Sequence, residues 1–222
     1  MINAVDYDLV VVGSSAGGIE ALSVLVSSLP EHFPVPMVLA QHLDPNHPSD
    51  LPDILQRRTN LRIVTVGASV ELAPGTIYVV PANKHVIITN GHVALRDNGS
   101  SGHPQPSVDL LLTTAAAIYG ERLIAVILTG SGSDGAAGAI EVKKNGGTII
   151  VQNPDTARYP SMPLALPPSA VDFESDIENI GALLMSLLSG AVLPPAEDSA
   201  NKLVDEIALK HILDVIRQYT TI

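Results

Sequence analysis

The chain contains no cysteine. That excludes disulfides and thiolate metal sites, and it fits a reducing compartment. Basic residues are scarce as well: Lys and Arg number 12 against 23 Asp and Glu, a formal net charge of −11. Phosphate backbones are held by clustered cations, so this balance argues against nucleic acid as a partner. Long hydrophobic runs are missing. The longest uncharged apolar stretch, residues 180–193, falls short of the roughly 20 residues that span a bilayer and suits an amphipathic core helix instead. The N-terminus carries Asp6 and Asp8 and no basic region ahead of an apolar block, so no secretory signal is expected. What is present is an apolar content of 46% over 222 residues, enough for one large α/β domain with a full core, or such a domain with an appended element. The expectation is a soluble cytoplasmic domain that neither enters a membrane nor binds nucleic acid.

The most informative stretch is residues 8–18, DLVVVGSSAGG. Its β-branched run at 9–12 suits a central strand of a parallel sheet. Gly13 then permits a sharp turn, and Gly17 and Gly18 let a helix start close against the strand end. Apolar residues continue at helical spacing through Ile19, Leu22, Leu25, Val26 and Leu29. A serine in that turn stands at a helix N-terminus, where backbone N–H groups and the dipole favour negative charge. Three readings are open here: a nucleophile beside an oxyanion site, a phosphate-cradling loop, or an ordinary strand–helix turn.

The rest of the chain keeps a β-α-β rhythm with one interruption. Strands are expected at 36–40, 62–66, 123–128 and 148–152, and helices at 50–58, 107–119, 133–145 and 177–188. Between them, short strands at 76–80, 86–89 and 92–95 include an Asn90-Gly91 pair between alternating apolar residues, a hairpin signal. The fold class is therefore α/β: a doubly wound, mainly parallel sheet with an antiparallel hairpin excursion. Residues 154–168 are proline-rich and read as a loop with one helical turn. The composition shift at 193–201 reads as a linker, which divides the chain into a domain at 1–192 and an amphipathic helix at 202–222.

Three strand ends carry candidate chemistry: Ser14 and Ser15 after the first strand, Gln41-His42 after the second, and residues 129–135 (TGSGSDG) after the LIAVIL strand. Open parallel sheets gather functional groups at the carboxyl ends of their strands. Serine, histidine and aspartate are the types needed for a nucleophile, a general base and an orienting carboxylate. Each also has a plainer role: a satisfied strand-end histidine for His42, a helix N-cap for Asp134, a turn hydroxyl for Ser14.

Taken in order, VGSSAGG (12–18), QH (41–42), PGTIYVVPANKHV (74–86), PSVDLL (106–111), ILTGSGSDGAAG (127–138), GGTIIVQNP (146–154) and YPSMP (159–163) resemble the catalytic domain of the CheB family. That family comprises the chemoreceptor protein-glutamate methylesterases and glutamine deamidases of bacterial chemotaxis. The resemblance covers roughly residues 6–190. It implies Ser15, rather than Ser14, as nucleophile, His42 as base and Asp134 as the orienting acid. It further implies an oxyanion region shaped by Ala16, Gly17, Ser131 and Gly132, with no metal and no organic cofactor. Two departures fall in that region: Ala16 stands where many members have threonine, and Ser131 where many have methionine. They bear on rate and substrate preference rather than on reaction class.

The expected partners are methylated cytoplasmic helices of chemoreceptors. The segment KHILDVIRQYTTI (210–222) also resembles the opening helix of the partner methyltransferase family, CheR, which implies a fused downstream methyltransferase; a generic amphipathic helix is the other reading. Typical family members carry a receiver domain ahead of the esterase, whereas this sequence leads almost directly into its first strand. A non-catalytic docking module of the same fold is the alternative to the enzyme. Dinucleotide binding lacks the required spacing, since GSSAGG is not GxGxxG.

Overall fold

A computed structural model of the chain describes residues 6–43, 50–82, 84–96 and 106–190. The expected linker and tail helix at 193–222 lie outside the described residues. Among the described residues, ten strands and six α-helices follow one another as β1 (Leu9–Ser14), α1 (Gly18–Ser27), β2 (Met37–Gln41), α2 (Leu51–Gln56), β3 (Arg62–Thr65), β4 (Ser69–Glu71), β5 (Thr76–Val79), β6 (His85–Thr89), β7 (His92–Arg96), α3 (Val108–Tyr119), β8 (Leu123–Ile127), α4 (Ala136–Lys144), β9 (Thr148–Gln152), α5 (Ser161–Leu164), β10 (Phe173–Ser175) and α6 (Ile177–Leu188).

Seven strands form one parallel sheet in the order β10-β9-β8-β1-β2-β5-β3. The centre of that sheet is buried on both faces, which is why β1, β2 and β8 read as apolar runs, with polar residues only at the carboxyl ends of β1 and β2. Alternation along β1 assigns its side chains to two cores. Leu9 and Val11 pack with Leu111, Leu112 and Ala115 of α3 and with Ala139 and Val142 of α4. Val10 and Val12 pack with Leu22, Leu25 and Val26 of α1, Leu51 and Leu55 of α2, and Ile180 and Leu184 of α6. Helices thus cover both faces, as the doubly wound reading requires.

The antiparallel excursion is a separate sheet of three strands, β4-β7-β6, whose hairpin turns at Asn90-Gly91 with Gly91 at φ 75°. Val86, Ile88 and Val93 of this sheet join the core on the α3 side. Two strands go beyond the sequence expectation: β4, which pairs with β7, and β10, which adds a parallel edge beyond β9. Gly13 also has a different role from the one expected. It is not at a turn but inside β1, paired with Ala40 and Ile127, where a Cβ would meet Val108 Cγ1 at 2.4 Å. Glycine at 13 lets the start of α3 press onto the sheet.

The chain begins in the middle of the large sheet, lays β2 beside β1 and β3 at the edge, fills the gap between them with β5, then continues on the other side of β1 through β8, β9 and β10. The order reverses between β1 and β8. In open α/β sheets the crevice outside the carboxyl ends at such a reversal is where sites form.

Candidate active site

The turn after β1 is built by two glycines. Gly17 adopts φ 74°, a left-handed conformation that other residues rarely take, and α1 starts at the next residue. Gly18 has no space for a side chain: a Cβ would lie 1.9 Å from Gln41 Oε1 and 2.8 Å from Ser14 Oγ. Ser15 is held between these glycines and the strand end. Its N–H donates to Thr129 O at 3.1 Å beyond β8, and its carbonyl accepts from Gly18 N at 2.9 Å.

The two serines of the motif separate cleanly. Ser14 is the last residue of β1, is 0% exposed, and its hydroxyl donates to Gln41 Oε1 at 2.6 Å. Ser15 lies in the turn and is partly exposed; among the described residues its hydroxyl makes no hydrogen bond. Only Ser15 has both access and an uncommitted oxygen.

His42 follows β2 directly, and its N–H donates to Ser14 O at 3.1 Å, one more step of the β1–β2 pairing. Its ring meets Asp134 through Nε2, 2.8 Å from Oδ2, with side-chain exposures of 17% and 9%. Among the described residues Nδ1 makes no hydrogen bond. In the serine-protease triad Nε2 faces the serine and Nδ1 the carboxylate; here the carboxylate holds Nε2, and Nδ1 is the nitrogen left to serve a hydroxyl.

Asp134 does not cap the helix that follows it. α4 begins after Gly135, at φ 107°, with no capping side chain from that position. The Asp134 carboxylate reaches instead across to α3, accepting from Val108 N at 2.8 Å and Asp109 N at 2.9 Å. In return Asp109 Oδ1 accepts from Gly135 N at 2.9 Å and Gly138 N at 2.7 Å, the opening of α4. Two helix starts thus cap each other through a pair of aspartates. Burial alone would raise the Asp134 carboxyl, but the His42 hydrogen bond and the N–H groups of Asp109 and Val108 outweigh it and hold the group below the ordinary aspartate range. Asp109 is pushed the other way. Burial is the main cause, the Asp134 charge adds to it, and the bonds from Gly138 and Gly135 only partly offset the two.

The expected oxyanion region is brought to the same place. Gly130 approaches Ser15 so closely that a Cβ there would lie 2.8 Å from Ser15 Cβ and 2.5 Å from Met162 Sδ. Ser131 and Gly132 follow on the exposed side of that loop, Gly132 at φ 89°. Ala16 and Gly17 stand half-buried on the facing turn. Among the described residues the N–H groups of Ala16, Gly17, Ser131 and Gly132 have no hydrogen-bond partner. The segment after β9 closes the crevice: Gly130 N donates to Tyr159 O at 2.9 Å, and Met162 N donates to Gly130 O at 3.0 Å. Among the described residues no group of His, Asp and Glu is arranged to hold a metal ion. No described helix is long and apolar enough to cross a membrane.

Gln41, Thr129 and Asp109 stand in motifs that the sequence displays, but the contacts they make do not follow from those motifs. Asp109 has a usable signal, because Ser107-x-Asp109 at a helix start offers two capping side chains, and Ser107 Oγ does accept from Leu110 N at 3.2 Å. For Thr129 and Gln41 the partners come from register between strands, which spacing along one chain does not display.

A serine, a histidine and an aspartate on neighbouring strand ends, with unpaired N–H groups beside the serine, form the set that hydrolysis through a covalent intermediate requires. The chain belongs to the CheB methylesterase family, whose family model matches residues 10–184. It is 36% identical over 184 residues to a Leptospira interrogans protein with the provisional name protein-glutamate methylesterase/protein-glutamine glutaminase, covering 82% of this chain and 95% of that one. It is 37% identical over 164 residues to the Thermotoga maritima protein-glutamate methylesterase/protein-glutamine glutaminase, covering 72% of this chain and 48% of the relative. Against the protein-glutamate methylesterase FrzG of Myxococcus xanthus the identity is 34% over 181 residues, covering 81% of this chain and 54% of FrzG. The crystal structure of the Thermotoga maritima CheB methylesterase catalytic domain superposes with a TM-score of 0.76 at 34% identity, covering 82% of this chain and 98% of that domain.

Proposed function

We propose that this protein is a serine hydrolase that removes methyl esters from glutamate side chains of chemoreceptors, and that it deamidates receptor glutamines by the same route. His42 Nδ1 takes the Ser15 hydroxyl proton as Oγ attacks the ester carbonyl. Asp134, ionised and hydrogen-bonded to Nε2, fixes the ring and stabilises the imidazolium that results. The tetrahedral oxyanion is received by unpaired N–H groups of the region Ala16, Gly17, Ser131 and Gly132. The intermediate collapses with loss of methoxide, which takes the proton from His42 and leaves as methanol. Water then enters, gives a proton to His42 and attacks the acyl group, and Ser15 is regenerated with a free glutamate as product. With a glutamine substrate the leaving group is ammonia.

The observation that carries this reading is that an accessible Ser15 hydroxyl with no other partner and a His42 ring anchored through Nε2 on a capped Asp134 stand on neighbouring strand ends. A module that only docks to a partner has no need of that polarised set. Labelling with a serine-directed fluorophosphonate and locating the adduct by mass spectrometry tests it. Modification at Ser15, lost in His42→Ala, is the expected result. No adduct on the folded protein, or an adduct elsewhere, would count against it.

A further inference from the structure

Gln41 stands at the one point where both reactive strand ends can be held by a single side chain. It is the last residue of β2, directly opposite Ser14 in the parallel pairing, and only 3% exposed. Its Nε2 donates to Ser15 O at 2.7 Å and to His42 O at 2.7 Å, while its Oε1 accepts the Ser14 hydroxyl at 2.6 Å. The amide's two N–H groups and its oxygen are thus all engaged, and they engage three residues at the site: both serines and the histidine. The bare Cα of Gly18 is what admits this amide against the turn.

The paired residues of β1 and β2 end at Ser14 and Gln41, and the ladder closes with one further backbone bond, from His42 N–H to Ser14 O at 3.1 Å. Beyond that point backbone order normally decays, because strand ends open locally at little cost. The carbonyls of Ser15 and His42 lie past this last bond. We infer that Gln41 is a positioning residue for the reaction: its amide carries the pairing past that last backbone bond and fixes the backbone of Ser15 relative to that of His42, with the Ser14 hydroxyl holding the amide in place. Ser14 then acts only through Gln41. This rests on the reading of Ser15 and His42 as nucleophile and base. It assigns a task to the buried first serine of the motif.

The test uses the full chain and a small carboxylic methyl ester. Gln41→Met keeps the length and apolar bulk of the side chain but removes both donors and the acceptor. It is expected to lower kcat by about ten- to a hundredfold, the scale on which small misplacements of reacting groups act, with KM within about twofold of the parent. The rate of fluorophosphonate labelling at Ser15 should fall in parallel. Ser14→Ala is expected to lower kcat by a few fold, again with KM unchanged. The double variant should be no slower than Gln41→Met alone, since residues that act as one unit do not add. Should Gln41→Met fail to fold, Ser14→Ala still decides: a loss in KM rather than kcat, or full parental kcat, overturns the inference. Additive losses in the double variant overturn it too. Ser15→Ala, run alongside, separates the two readings. If Ser15→Ala is inactive while Gln41→Met turns over at the parental rate, the brace is wrong and the nucleophile stands; if Ser15→Ala retains turnover, the underlying reading fails.

Discussion

Asp134 accepts hydrogen bonds on both oxygens, and that settles what a neutral replacement would do. Oδ1 takes Asp109 N–H, and Oδ2 takes Val108 N–H together with His42. In Asp134→Asn the new amide would have to aim its NH2 at one of these donors in either orientation. The substitution is therefore expected to reduce kcat by about a thousandfold or more, through loss of ring orientation and of the negative charge that supports the imidazolium. It should also show in stability with a defined pH dependence. Because the folded carboxyl is held below its ordinary value, it stabilises the fold fully above the unfolded value of about 3.9 and loses that contribution as pH falls through the folded value. Thermal melts of parent and variant should differ clearly at pH 7 and converge as the pH is lowered below about 3.9. A gap that stays constant across this range would mean that the ionised form carries no part of the fold's stability. At this scale the sequence is informative about the residues proposed to react and less so about the residues that hold them. Ser15, His42 and Asp134 sit in motifs with fixed neighbours. Gln41 sits beside His42 in the same motif, yet its three partners lie on β1, just after β2 and in the turn between β1 and α1.

The elements around the site are joined by the exchange between α3 and α4. Asp109 Oδ1 serves both N–H groups at the start of α4, and Asp134 serves two at the start of α3. Removing the acceptor and removing only the charge are therefore different experiments. Asp109→Ala leaves Gly135 and Gly138 N–H unpaired and is expected to cost about 1–2 kcal/mol, the usual scale for a lost helix cap. Asp109→Asn keeps an oxygen at Oδ1 and relieves both the burial of a charge and its repulsion with Asp134. It should be as stable as the parent at pH 7, or slightly more so, by urea denaturation. If Asp109→Asn proves as damaging as Asp109→Ala, the charge itself is needed and the cap account is wrong. Elements are legible in the sequence where they are long and periodic. The pattern predicts α6 at 177–188 and β9 at 148–152, and both are found there. β4 and β10 are three residues each, SVE and FES, too short for a period-two pattern; pairing with β7 and β9 alone makes them strands. Gly13 departs from its expected turn for a related reason, since a glycine that admits a neighbouring helix leaves no local mark distinguishing it from a turn glycine.

For the molecule as a whole, the site follows from the order in which the sheet is laid down. β1 is central, its neighbours β2 and β8 come from opposite directions of winding, and the chain leaves all three at the same edge. Ser15, His42 and the loop of Asp134 meet because each directly follows one of these strands or the residues just beyond it. The ordered motifs make that edge visible from the sequence. The order of the outer strands, with β5 inserted between β2 and β3, is not visible there, because nothing in the local sequence of an edge strand names its neighbour. The proposed function is that this edge hydrolyses glutamyl methyl esters through Ser15. It is tested most directly by incubating the protein with a receptor cytoplasmic fragment carrying isotopically labelled methyl esters and measuring volatile methanol. The parent chain is predicted to release methanol catalytically, Ser14→Ala to retain a substantial part of that release, and Ser15→Ala to release none above the spontaneous rate. Methanol release by folded Ser15→Ala at a rate close to the parent's would contradict it.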